Sequence, residues 1–207
     1  MSEKNFNIYM DLGSSTIRAT CFDKQSNRTF VIENKCSTIL KMNRMNFIET
    51  DPANEKTIFD IEKKTGEYLN NINLMFDTSD AFSISLSVTK KNENKIITKE
   101  DVQYLIQDAK QQILSSNQKK NIIHIIVNNY KIDGKNHEFL PIDPKCNNFS
   151  IDIIFICFPK ILIENIEKLF HKHKIQINQF ICSSYAKSIN YKKHFDEYDK
   201  IVFLDIG

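Results

Sequence analysis

The stretch Met10-Asp11-Leu12-Gly13-Ser14-Ser15-Thr16 decides how the rest of the chain is read. Asn7-Ile8-Tyr9 leads into it, and after it Ile17, Ala19 and Cys21 alternate with Arg18, Thr20 and Phe22. That pattern predicts a β-hairpin whose turn carries an Asp, a Gly and hydroxyls. Gly13 lets the backbone approach a ligand with no Cβ in the way. The amides around Gly13, Ser14 and Ser15 can form a nest for a phosphate, with the hydroxyls as extra donors. Asp11, at a strand end, can hold a cation or its waters, because hard oxygen ligands suit Mg²⁺. An ordinary hairpin with a polar turn has the same sequence, and short glycine motifs recur by chance.

A second stretch favours the ligand reading. The chain has four Gly, at 13, 66, 134 and 207, and the last closes Ile201-Val202-Phe203-Leu204-Asp205-Ile206-Gly207. This is again an apolar strand running into Asp-x-Gly, and a device used twice points to a duplicated architecture. The 207 residues suit one large domain or two small ones. Hydrophobic content of 41% and charged content of 26% are those of a globular chain. A net charge of +2 gives no global electrostatic reason to expect a nucleic-acid partner. The apolar runs Ile122–Val127 and Ile151–Phe158 are too short to span a bilayer. The five Cys, at 21, 36, 146, 157 and 182, form no C-x-x-C pair and sit mostly in strand-like runs. Reduced, buried thiols of a cytosolic protein are the expectation.

Further along, Arg28–Asn34 reads as a third strand with Phe30 and Ile32 on one face. Asp51-Pro52 supplies an N-cap and a first helical residue, and Ile58, Ile61, Leu69 and Ile72 stripe the helix behind it. Phe82, Ile84, Leu86 and Val88 alternate with Ser83, Ser85 and Ser87, a strand with one polar face. The polar run Lys90–Lys95 reads as a hinge and domain boundary. Thr98 and Asp101 then resemble a capping box ahead of a helix carrying Val102, Leu105, Ile106, Ala109 and Ile113. Strands follow at Ile122–Val127, near Tyr130–Asp133 and at Ile151–Phe158. Pro159 opens a helix on Leu162, Ile166, Leu169 and Phe170, and Ser183-Ser184 caps a last one with Tyr185, Ala186 and Ile189 inward. His171 and His173 fall on different helix faces, and no Ser-His-Asp or Cys-His arrangement follows from spacing. No catalytic residue is assigned.

These residues together resemble a family. Met10-Asp11-Leu12-Gly13-Ser14-Ser15 is similar to the first phosphate loop of the actin, Hsp70 and sugar-kinase ATPases. Ile97-Thr98-Lys99-Glu100-Asp101-Val102 resembles the segment that opens the inserted SHC domain of the bacterial cell-division protein FtsA. His124, Tyr130-Lys131-Ile132-Asp133-Gly134 and Pro141 are similar to that insert's H…Y-x-(I/V)-D-G…P signature. Ser183-Ser184-Tyr185-Ala186 matches the Ser/Ala-rich helix before the second phosphate loop, whose first residues Asp205-Ile206-Gly207 resemble.

The resemblance implies an α/β fold: an actin/Hsp70-like (ribonuclease H-like) first lobe with an inserted small α+β domain and no second lobe. Residues 1–89 plus 179–207 would form the lobe and 90–178 the insert. It implies ATP with Mg²⁺ as cofactors, held by Asp11, Gly13, Ser14, Ser15, Asp205 and Gly207, with Asp11 and Asp205 on the metal side. It implies a scaffold of cell division, at most a weak ATPase, in the cytoplasm at the inner membrane. FtsZ and other division proteins would be partners, with self-association through the insert. The family's adenine pocket, FtsZ-binding lobe and C-terminal membrane helix have no counterpart in these residues. This implies a fragment or a reduced relative that binds ATP weakly or not at all, which micromolar affinity in isothermal titration would contradict. The alternatives are a pilus-assembly actin homologue of the PilM type, which shares the fold, and an Hsp70-like or sugar-kinase-like phosphotransferase, which uses the same phosphate loop.

Overall fold

A computed structural model describes residues 6–36, 52–195, 197 and 202. The chain divides into two units, Met1–Asp80 with Ile161–Gly207, and Ala81–Lys160.

In the first unit β1 (Phe6–Leu12) and β2 (Thr16–Asp23) form the expected hairpin, in a register running from Phe6↔Asp23 to Leu12↔Ile17. β3 (Thr29–Lys35) adds antiparallel to β2. α1 (Pro52–Thr65) lies against β2 and β3 and buries Ile58 and Ile61. The apolar stripe suggested that this helix runs on through Leu69 and Ile72, but it stops at Thr65. Gly66, at φ +71, takes the left-handed conformation that ends helices, and its amide bonds back to the Glu62 carbonyl at 2.8 Å. Ile72 belongs instead to β4 (Asn71–Phe76), where Ile72, Leu74 and Phe76 alternate inward with no measurable exposure. β4 pairs in parallel with β1 on one side and with β9 (Gln176–Cys182) on the other. The sheet order is β3-β2-β1-β4-β9. The predicted N-cap Asp51, and the strand at 201–207 with Asp205 and Gly207, lie outside the described residues.

α3 (Lys160–Lys172) buries Leu162, Ile163, Ile166, Leu169 and Phe170, close to the predicted stripe. α4 (Ser183–Lys192) packs on β9 and β4. Ser183 is buried in it, but Ile189, expected to point inward, is 42% exposed.

The second unit is an antiparallel sheet, β5-β8-β6-β7, with α2 (Lys99–Ser116) on one face. β5 (Phe82–Ile96) and β8 (Lys145–Pro159) are fifteen residues each, and β6 (Lys120–Ile132) pairs on the far side of β8. The predicted hinge Lys90–Lys95 therefore lies inside β5. Its polarity marks an irregularity between Lys91 and Lys95, where Glu93 and Asn94 have positive φ, and not a boundary. The insert limits expected at 90 and 178 move accordingly: all of β5 falls within this unit, while α3 and β9 belong to the first. The strands expected at 122–127 and 130–133 are one strand, β6, interrupted by bulges at Ile123 and Asn128. β7 (Lys135–His137) folds back on β6 through a two-residue turn, Asp133-Gly134, at φ +46 and +82. Positive φ at both positions is the signature of a type I′ hairpin, for which Asp-Gly is a favoured pair. The Asp133 carboxylate also accepts from the amides of Asn147 and Asn148 at 3.0 and 2.8 Å, tying the turn to β8.

α2 carries the predicted capping box. The Thr98 hydroxyl accepts from the Asp101 amide, and the Asp101 carboxylate accepts from the Thr98 amide at 2.9 Å. Leu105, Ala109 and Ile113 pack on Val88, Phe149, Ile151, Ile153 and Phe155. Burying an aromatic or branched side chain of this size stabilises by about 1.5–3 kcal/mol.

Candidate functional site

Parallel pairing brings the C-terminal ends of β1, β4 and β9 to one edge of the first sheet. Ligands of open α/β sheets bind outside such edges, where loops leave the strands. The edge here carries the β1–β2 turn, Asp77 just beyond β4, and Ser183 and Ser184 at the start of α4. A cleft of about 640 Å³ is lined by these groups together with Arg18 and Lys187.

The turn is closed by the Gly13 amide donating to the Thr16 carbonyl at 3.1 Å, and the Ser15 carbonyl accepts from the Cys36 amide at 2.9 Å. A Cβ on Gly13 would stand 2.7 Å from the Thr16 oxygen. Glycine is required here by close approach of backbone to backbone. Ser14, Ser15 and Thr16 follow in succession along the cleft wall.

Two serine–aspartate pairs bind α4 to the strand ends. The Ser183 hydroxyl donates to Asp11 Oδ1 at 2.8 Å. The Ser184 amide donates to the Asp77 carboxylate at 3.0–3.1 Å, and the Ser184 hydroxyl does so at 2.7 Å. Asp77 is therefore the cap of α4. The helix was expected to be capped by its own serines, but the N-cap residue, Cys182, offers no side-chain cap bond. The Cys182 thiol donates to Asp77 Oδ1 at 3.3 Å. Burial, with the nearby carboxylate adding to it, pushes that thiol up to about 11. Arg18, opposite Asp11 in the hairpin, pairs with Glu33 at 3.2 Å.

The structure thus brings Asp11, Gly13, Ser14 and Ser15 into one cleft, while Asp205 and Gly207 lie outside the described residues. The sequence reading gives Asp77 no role, because it carries the α1 stripe through Ile72 and places no strand end after it. The alternation of Ile72, Leu74 and Phe76 was the signal that places a strand end, and so a carboxylate, at Asp77.

The donor set fits a nucleotide's phosphates and their cation. Consecutive hydroxyls, a turn that only glycine closes, and two cationic side chains suit an anion, and Asp11 is a hard oxygen ligand suited to Mg²⁺.

Residues 79–157 match the model of the SHS2 domain inserted in FtsA. No curated protein matches the chain. Among solved structures, the chain is similar to one from the PilM–PilN type IV pilus biogenesis complex, with a TM-score of 0.53 and 5% identity over 92% of this chain and 51% of that one. It is also matched to the cytoplasmic domain of EpsL, an inner membrane component of the type II secretion system of Vibrio cholerae, at TM-score 0.37 and 9% identity over 86% and 55%. A Bacteroides thetaiotaomicron protein with an actin-like ATPase fold and unknown function gives 0.38 and 13% over 94% and 56%. The chain spans about half the length of these solved structures. Among the described residues no helix is long and apolar enough to cross a membrane. The chain is thus an α/β protein that shares its fold with a structure from the PilM–PilN complex and whose residues 79–157 are similar to the SHS2 domain inserted in FtsA.

Proposed function

We propose that the protein is an actin-related scaffold of the FtsA type, which binds ATP with Mg²⁺ in the cleft and assembles with other proteins through its insert. The observation that carries this reading is the SHS2 match at residues 79–157. The Gly13–Thr16 turn would receive the phosphates, with Arg18 and Lys187 supplying positive charge. Asp11, oriented by Ser183, would face the cation or its waters. The cation, when bound, would neutralise phosphate charge. Nucleotide would then favour one arrangement of the assembly over another, since a ligand shifts an equilibrium by its difference in affinity for the two states. In this reading FtsZ and other division proteins are the partners, at the cytoplasmic face of the inner membrane.

A second reading, a PilM-like part of a pilus-assembly platform, is favoured by the TM-score of 0.53 across 92% of the chain. Pull-down by the gene product that contains this chain separates the two. Capture of the FtsZ C-terminal tail supports the division scaffold. Capture of a PilN-type cytoplasmic peptide without FtsZ supports the other reading and contradicts the first.

A further inference from the structure

The rim of the inserted sheet carries a surface of its own. β5 is the outermost strand of that sheet and pairs only with β8 among the described residues. From Phe82 to Lys91 its register is unbroken, with no bulge, no proline and no charge before Lys90. Open edges recruit other strands, and proteins usually blunt them with bulges, charges or brevity. The other rims here are blunted in that way. β6 bulges at Ile123 and Asn128, β9 carries the unpaired Asn178, β3 displays Glu33 and Lys35, and β7 has three residues.

We propose that the Phe82–Lys91 edge pairs antiparallel with the same edge of a second copy of this chain. The sequence of the edge is its own complement. A two-fold axis at Ser85 sets Ser83 opposite Ser87 on the exposed face. On the α2 face it sets Phe82 opposite Val88 and Ile84 opposite Leu86. Phe82, Ile84 and Leu86 reach the core of their own copy but remain only partly buried, so the pairing completes their burial. No charged residue lies between Phe82 and Thr89, so the axis sets no like charges opposite one another. Tyr104 on α2, 61% exposed and within 5.5 Å of Lys90 Nζ, extends the same surface. The pairing does not rest on the nucleotide reading.

The test uses the 207-residue chain with Cys36→Ser, which removes the one cysteine that is not buried. Added Ser85→Cys should give a disulfide-linked dimer under mild oxidation, while Lys135→Cys, exposed on β7 at the opposite rim of the sheet, should not. Light scattering of the native chain should show twice the monomer mass of 24.2 kDa at high concentration. Ser83→Lys with Ser85→Lys, both at exposed positions, should return the mass to that of the monomer while circular dichroism shows the fold retained. A native chain that stays monomeric, a dimer that survives the two lysines, or equal cross-linking from positions 85 and 135 overturns the proposal.

Discussion

Gly13 illustrates how much of the site rests on single atoms. Its replacement by Ala puts a methyl 2.7 Å from the Thr16 oxygen, so the turn must open. A cost of about 1–3 kcal/mol in urea unfolding is expected, with loss of nucleotide binding beyond what that cost explains. Ser183→Ala removes the hydroxyl that orients Asp11 and should weaken Mg-ATP binding about 10–100-fold while leaving the melting temperature nearly unchanged. The thiols give a third expectation. Burial holds Cys21 and Cys182 protonated, with pKa values of about 11, so at pH 8 iodoacetamide should label Cys36 well before either, as read by mass spectrometry. Residue types announced Asp11, Gly13 and the serines, because their chemistry is local to one turn. Nothing local announced that Ser183 would find Asp11, 172 positions away, or that Asp77 would cap α4 in place of the helix's own serines.

α2 and the β1–β2 hairpin were legible because their signals lie within a few residues of each other. The capping box and the i, i+3, i+4 spacing needed no tertiary information. α1 shows the opposite: apolar residues at helical spacing ran past Gly66 into what is a buried strand, and both periods fit so short a run. The polar run in β5 misled for a related reason, since a bulge near the end of a strand carries the same residues as a linker. Asp101 provides a pH test at this scale. The Lys90 ammonium bonded to it, and then the Thr98 amide, hold its carboxyl below the usual range. Its ionised form is favoured in the folded state, so the stability it adds is present above about pH 3.9 and is lost as pH falls through the lower folded value. Asp101→Asn should cost about 0.5–2 kcal/mol at pH 7, and its thermal melts should converge with those of the native chain in acid. Gly134→Val should cost about 1–2 kcal/mol by forcing a branched residue to φ +82.

For the whole molecule, sheet topology does what composition could not. The order β3-β2-β1-β4-β9 gathers a turn, two carboxylates and a helix start from positions 11 to 187 into one cleft, and the insert leaves that sheet after β4 and returns before β9. The inserted domain was legible from motifs in order along the chain, and residues 79–157 match the SHS2 domain inserted in FtsA. The limits of the insert were not, because they fall at strand ends whose sequence is continuous with the strands. A nucleotide-phosphate site at this sheet edge is what the proposed function requires, and co-crystallisation of the gene product containing this chain with Mg²⁺ and a non-hydrolysable ATP analogue is the experiment for it. Phosphate density is expected within hydrogen-bond distance of the Gly13–Thr16 turn, with the cation or its waters on Asp11; a nucleotide bound elsewhere, with this turn facing only solvent, overturns the assignment.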